Sequence, residues 1–263
     1  MTTTSILPTT SATLPTQARG VPFGRLLAVE MRKLVDTRAG MWLLIVIGLI
    51  TTTVIALVLF TSEPDELTFA GLAFTAALPQ SLLLPVLGVL TATSEWSQRT
   101  GLVTFTLEPR RLRVGAAKLT ASILVALAAV GLALAVGAFA NLVGIGWLDG
   151  VGTWEISAPV LLGGALLQLV SVVQGVAFGA AIGNSAAAIM AIFGLPTAAM
   201  LLSSMFDWAD RASRWVDLSV TSGPLLEGTM RAADWGPLGV SALLWLGLPL
   251  AIGAYRLVHR EVV

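Results

Sequence analysis

Five apolar blocks separated by polar stretches dominate the chain: Met41–Thr61, Phe69–Ser94, Leu119–Trp147, Ser157–Met205 and Pro237–Tyr255. A bilayer core of about 30 Å requires about 20 apolar residues, each rising 1.5 Å along a helix. Every block meets that length. The fourth exceeds it, because its 49 residues would extend roughly 74 Å as one helix. Within it, "AIGNSAAA" supplies a break, with Gly183 and Asn184 suited to a tight turn. The pattern predicts six spans, at about 41–61, 69–94, 119–147, 157–182, 185–205 and 237–255. A five-span alternative, with one span and a re-entrant piece over Ser157–Met205, is hardly distinguished by charge.

Ahead of the first span, Phe23, Leu27, Met31 and Leu34 recur at helical spacing, while Arg25, Arg32, Lys33 and Asp36 point elsewhere. This predicts an amphipathic helix lying in the inner membrane interface, with Gly40 as the bend into the first span. A simple cytosolic extension of that span is the alternative. Residues 1–20, rich in Thr, Ser and Pro, are expected to form a disordered cytosolic tail. They lack the basic start and apolar core of a signal peptide.

Composition agrees with the pattern. Of 263 residues, 56% are hydrophobic and 11% charged, against about 25% charged in a soluble domain. The expected class is an all-α integral membrane protein. There is no cysteine, hence no disulfide or thiolate chemistry, and the single histidine, His259, cannot form a two-histidine site. No metal site and no nucleic-acid partner is expected.

Charge sets an orientation. With the N-terminus inside, only Arg211, Arg214 and Arg231 of the 15 basic residues fall in outer loops, as the positive-inside pattern requires. Both termini are then cytoplasmic, at the cell membrane. So is the polar stretch between the second and third spans, "TATSEWSQRTGLVTFTLEPRRLRVGAAKLTAS". Burying its five basic side chains in lipid would cost roughly 2.5–3.5 kcal/mol each. "SEWSQRTGLVTFTLE" can form a short helix that Ser94 could cap, that Gly101 weakens and that Pro109 stops. Trp96, Leu102, Val103, Phe105 and Leu107 exceed what a topological anchor needs, and suit docking to a protein.

This segment resembles the one after the second span in type 2 permeases of ATP-binding-cassette (ABC) exporters. The matching positions are Glu95, Arg99, the pair Thr100-Gly101 (in reversed order), the apolar run Leu102–Leu107, Pro109, Arg110–Arg113 and Lys118. The resemblance extends over residues 21–260: an entry helix, six spans, a cytosolic helix between spans two and three, and an outer loop before span six. It implies that the loop is a coupling helix seated on a separate ATPase. The docking set would be Glu95, Trp96, Arg99, Thr100, Gly101, Phe105, Glu108, Pro109, Arg110, Arg111 and Arg113. It also implies a second permease subunit, identical or paralogous. ATP and Mg would be held by the partner ATPase, with no cofactor on this chain.

Two absences agree. A phosphate-binding loop needs a lysine after glycine, yet the only lysines, Lys33 and Lys118, follow Arg and Ala. The apolar blocks hold no ionisable residue of the kind that ion-coupled carriers use, and none that could serve a hydrolase in the bilayer. Neutral polar residues there include Asn141, Asn184 and the pathway candidates Gln80, Gln168 and Gln174. Gly175, Gly179 and Gly183 share a face that permits close helix packing, within the subunit or at a dimer seam. Pro79, Pro85, Pro196 and Pro249 can kink their spans. Trp208, Trp215 and Trp235 suit interfacial anchoring of the outer loop, and in the family this loop forms short helices that dip back over the pathway, as Leu225 and Leu226 would allow. The expected function is the permease subunit of an ABC exporter. The alternatives are an ion-gradient-driven carrier or channel, and a non-transporting membrane immunity or assembly partner.

Overall fold

The computed structural model describes residues 21–98 and 100–259. The expected tail over 1–20, Arg99 and Arg260 lie outside them. The described residues contain helices and no strand. Six helices are long and apolar enough to cross a bilayer, an architecture of the multi-pass membrane class.

The chain enters through α1 (Phe23–Asp36). Thr37 then adopts an extended backbone, and its Oγ1 accepts from the Gly40 amide at 3.3 Å to cap α2 (Arg38–Thr61). The bend therefore falls at Thr37, three residues before the expected glycine. Gly40 is needed for a different reason: a Cβ there would collide with the Leu34 carbonyl. The apolar stripe of α1 turns toward its own chain, since Leu34 packs with Leu87 and Ala121, and Leu27 and Met31 pack against them.

Helix α3 (Phe69–Ser97) runs as one element through Ser94, so Ser94 caps nothing. The short helix α4 (Gly101–Leu107) follows, with Gly101 at its first position rather than its middle. Pro109 ends it. Helix α5 (Arg111–Trp147) has 37 residues, about 55 Å at the helical rise. It is too long for the bilayer core alone, so its first turns project from the same end of the bundle as α1. Helices α6 (Ala158–Ile182) and α7 (Ser185–Met205) are separated at Gly183, which takes the left-handed conformation (φ 70°), and Asn184, whose Oδ1 accepts from the Ala187 amide at 3.0 Å. This is two helices with a turn, in place of one span with a re-entrant piece.

At the opposite end, α8 (Asp207–Val216) and α9 (Leu218–Leu226) fill the connection to the last span. That span comprises α10 (Trp235–Ala242), a π-helical turn over Leu243–Gly247, and α11 (Leu248–His259). Pro249, just beyond the wide turn, has no amide hydrogen to offer the Trp245 carbonyl four residues back.

Helix α3 is the hub. In its most apolar window 56% of residues are buried, against 11% in α7. Its neighbours approach through small residues. A Cβ on Gly137 of α5 would meet the Ala73 backbone at 2.6 Å, and one on Gly175 of α6 would run into the Pro85 carbonyl. Two arginines close the α1 end. The Arg256 guanidinium donates to the Ala181 and Ile182 carbonyls at the end of α6, and that of Arg111 donates to the Leu257 carbonyl at the end of α11 (3.2 Å). Each satisfies carbonyls that a helix C-terminus leaves open and offsets its negative dipole end.

Candidate functional site

The chemistry concentrates where α1, α3, α4 and α5 meet. Glu30 and Lys33 sit one helical turn apart on α1, Glu95 lies in the last turn of α3, and Lys118 lies two turns into α5. Together they form a closed ring of alternating charge. Lys33 Nζ reaches Glu30 Oε1 at 2.7 Å and Glu95 Oε1 at 3.0 Å. Lys118 Nζ reaches Glu30 Oε2 at 2.8 Å and Glu95 Oε2 at 2.7 Å. Each carboxylate divides its two oxygens between the two lysines. Lys118 also lies within bonding distance of the Thr91 carbonyl and Ser94 Oγ.

Glu30, Glu95 and Lys118 are buried, while Lys33 keeps partial contact with solvent. Burial alone would penalise the charged form of Lys33. The carboxylates of Glu95 and Glu30 outweigh it, and its pKa stands above the ordinary lysine value. A buried ion that loses its partner is strongly unfavourable, so the ring forces α1, α3 and α5 to keep one mutual arrangement.

A second ion pair fixes the far side of α4. Glu108 is 1% exposed; its Oε2 accepts from Arg113 at 3.0 Å and its Oε1 from the Arg110 amide at 3.3 Å. Arg113 also donates to the Val21 carbonyl at 3.0 Å, which ties the chain entrance to this loop. Helix α4 is thus held at its C-terminal end by the buried Glu108 carboxylate, while ahead of it the Glu95 carbonyl accepts from the Thr100 amide at 3.0 Å. Trp96 and Phe105 pack ring against ring with centroids 6.2 Å apart, and the Arg111 guanidinium lies over Phe105 at 5.0 Å.

Of the expected docking set, then, Glu95, Gly101 and Glu108 are buried within the chain. Trp96, Phe105, Arg111 and Arg113 are half-buried, and Thr100, Pro109 and Arg110 are exposed. Leu102, Val103 and Leu107, at 55%, 63% and 70% exposed, form the outward face of α4.

Sequence reasoning missed Glu30 and misplaced Lys33. The signal for Glu30 is its position: it falls on the Leu27–Met31–Leu34 stripe, where an acid needs a partner. For the lysines it is residue choice. Every other basic residue except His259 is arginine, whereas the compact ammonium, with three donors on a flexible stem, suits a crowded ring of carboxylates.

The neutral candidates lie mid-bundle. Gln168 of α6 donates through Nε2 to Gln80 Oε1 of α3 at 2.9 Å, and both are buried. Gln168 and Gln174 line a cavity of about 720 Å³ between α3, α5, α6 and α9. Gly175 packs against Pro85, and Gly179 meets Val89 and Ala92, all on α3 of the same chain. Gly183 forms the turn instead of a packing face. Leu225 is buried and its carbonyl abuts Gly163 of α6, which seats α9 on the bundle; Leu226 lines the cavity.

No family model, no curated protein and no solved structure matches this chain.

Proposed function

We propose that the chain is the membrane-spanning permease subunit of an ATP-driven exporter, with the α1 end in the cytoplasm. In this reading α4 docks on a separate ATPase, and a second permease subunit completes the pathway. One observation carries the proposal. A short helix with three large apolar side chains facing outward is anchored at its C-terminal end by the buried Glu108–Arg113 pair, and it follows the last turn of α3, where Glu95 joins the ring with α1 and α5. An exposed apolar face needs a cover, and this one sits beside the joint of α1, α3 and α5. Arg110 beside it offers a cation to an acidic rim. The segment's resemblance to the coupling loop of type 2 permeases supports the same reading.

The cavity supplies a pathway element at the opposite end, and the lipid bilayer covers the exposed apolar faces of α2 and α7. ATP and Mg belong to the partner.

The test is to purify the tagged chain from its native membranes in mild detergent. A P-loop ATPase near one-to-one is expected, and it should be lost when Leu102 and Val103 are both changed to Asp. These exposed positions leave the buried rings intact. A chain that emerges without an ATPase, and that shows ion-gradient-driven flux after reconstitution, would favour the carrier reading instead.

A further inference from the structure

The 720 Å³ cavity has a mostly apolar wall with a single acid at one end. Its polar interruptions are Ser81, Gln168, Ser171, Gln174, Asp217, Ser219 and Ser222. Three of the four serines spend their protons on the wall itself. Ser81 donates to the Leu78 carbonyl at 2.8 Å, Ser171 to that of Gln168 at 2.9 Å, and Ser222 to that of Ser219 at 3.3 Å. Gln168 gives one of its two amide protons to Gln80 and keeps the other. The three bonded hydroxyls present oxygen lone pairs. Pro85 adds to this by removing the helical donor of the Ser81 carbonyl. Gln168 and Gln174 each keep both a donor and an acceptor.

The one ionisable wall residue is Asp217, at the α8–α9 end. It is 8% exposed and caps α9 by accepting from the Ser219 amide at 2.8 Å. Among the described residues no basic side chain pairs with it. Trp245 closes the same end, with its indole N–H donating to the Val216 carbonyl at 2.7 Å. From Val160 to Gln174 the cavity wall runs roughly 21 Å along α6.

We infer that this cavity binds an amphiphile with a single N–H-bearing cation, its ammonium at Asp217 and its apolar body along α6 toward Gln174. A buried carboxylate without a cation is costly, and an ammonium both neutralises it and donates to its remaining lone pairs. Anionic and neutral lipids offer the wrong group. The inference deepens the transport reading, on which it rests for its purpose, whereas the binding chemistry stands on the cavity itself.

The experiment uses the full chain in nanodiscs of zwitterionic lipid, with dansylcadaverine as the probe: a primary ammonium on an alkyl chain ending in a naphthalene. Binding is read as saturable dansyl emission on tryptophan excitation, against empty nanodiscs. N-acetylation of the probe removes the charge and keeps the body. Asp217→Asn and Asp217→Ser both retain a competent helix cap, so a loss common to the two reports charge rather than misfolding. Ala165→Phe fills the cavity. The expected result is saturable binding, weakened at least about tenfold by acetylation and by either Asp217 variant, and abolished by Ala165→Phe. Equal affinity for the acetylated probe, indifference to both Asp217 variants, or a signal matched by empty nanodiscs would overturn the inference. Loss of ATPase co-purification with charge-selective binding intact would sink only the exporter reading. Charge-blind binding in a chain that still brings an ATPase would sink only the ligand assignment.

Discussion

Lys118 has the most to lose from substitution. It is 6% exposed and serves two carboxylates, a backbone carbonyl and Ser94. Lys118→Met leaves Glu30 and Glu95 sharing Lys33 alone, and should destabilise the protein by about 3–5 kcal/mol. Thermal unfolding in detergent reads this directly. Adding Glu30→Gln to Lys118→Met removes the surplus charge and should recover part of the loss, so a purely additive double mutant would refute the ring as a coupled unit. Lys33 sets the pH dependence. Its folded pKa is raised, so its contribution is complete below the ordinary lysine pKa of 10.5 and is lost as pH rises through the higher folded value. Stability should be flat with respect to this group across neutrality and fall only in strong alkali. Lys33→Gln should abolish that alkaline loss while lowering stability at pH 7.

At the scale of elements, α3 and α6 cross on glycine. Gly175→Ala would place a methyl group against the Pro85 carbonyl, backbone that cannot swing aside. A cost of about 1–3 kcal/mol is expected from such overpacking, measurable as a lowered midpoint of thermal unfolding. Gly194→Ala on α7, where a Cβ meets nothing within 4 Å, should be neutral or slightly stabilising; equal costs at the two sites would contradict the crossing. Helix α4 makes a different kind of prediction. At seven residues it is too short to be stable alone, and its side-chain anchor is Glu108. Glu108→Gln should therefore loosen α4 more than the α3–α5 packing, seen as faster amide exchange over 101–107 with little change elsewhere.

For the whole molecule, rigidity and exposure are distributed unevenly. The α1 end is tied by the ion ring, by Glu108–Arg113 and by arginines capping the ends of α6 and α11. The α8–α9 end is held by the Thr221–Ser241 hydroxyl contact at 2.6 Å, by Trp245 on the Val216 carbonyl and by the seat of Leu225 on Gly163. Among the described residues one ion pair lies there, the exposed Arg214–Asp210 bridge, a kind that contributes little. The end that carries the cavity is thus joined by neutral contacts. The end that carries α4 is joined by charge.

How much of this the sequence determined follows from where the information sits. Span number and position are properties of local composition, because lipid forces every backbone group to bond within its own helix. The six long apolar helices and the Gly183–Asn184 turn were legible for that reason, whereas the α1 stripe, expected to face acyl chains, packs against Leu87 and Ala121. Helix lengths beyond the apolar blocks were not, since α5 begins eight residues before its apolar block, where arginines project from the bundle. Pairing between distant residues is invisible to periodicity. Glu95 looked like an exposed docking acid, and only the fold brings Glu30, Lys33 and Lys118 within 3.0 Å of it or of one another. The cavity likewise depends on which serine protons the helices have already claimed. Composition decided that this chain belongs to a membrane; tertiary structure decided which of its few charges are hidden, because the cost of burying a charge depends on its neighbours in space.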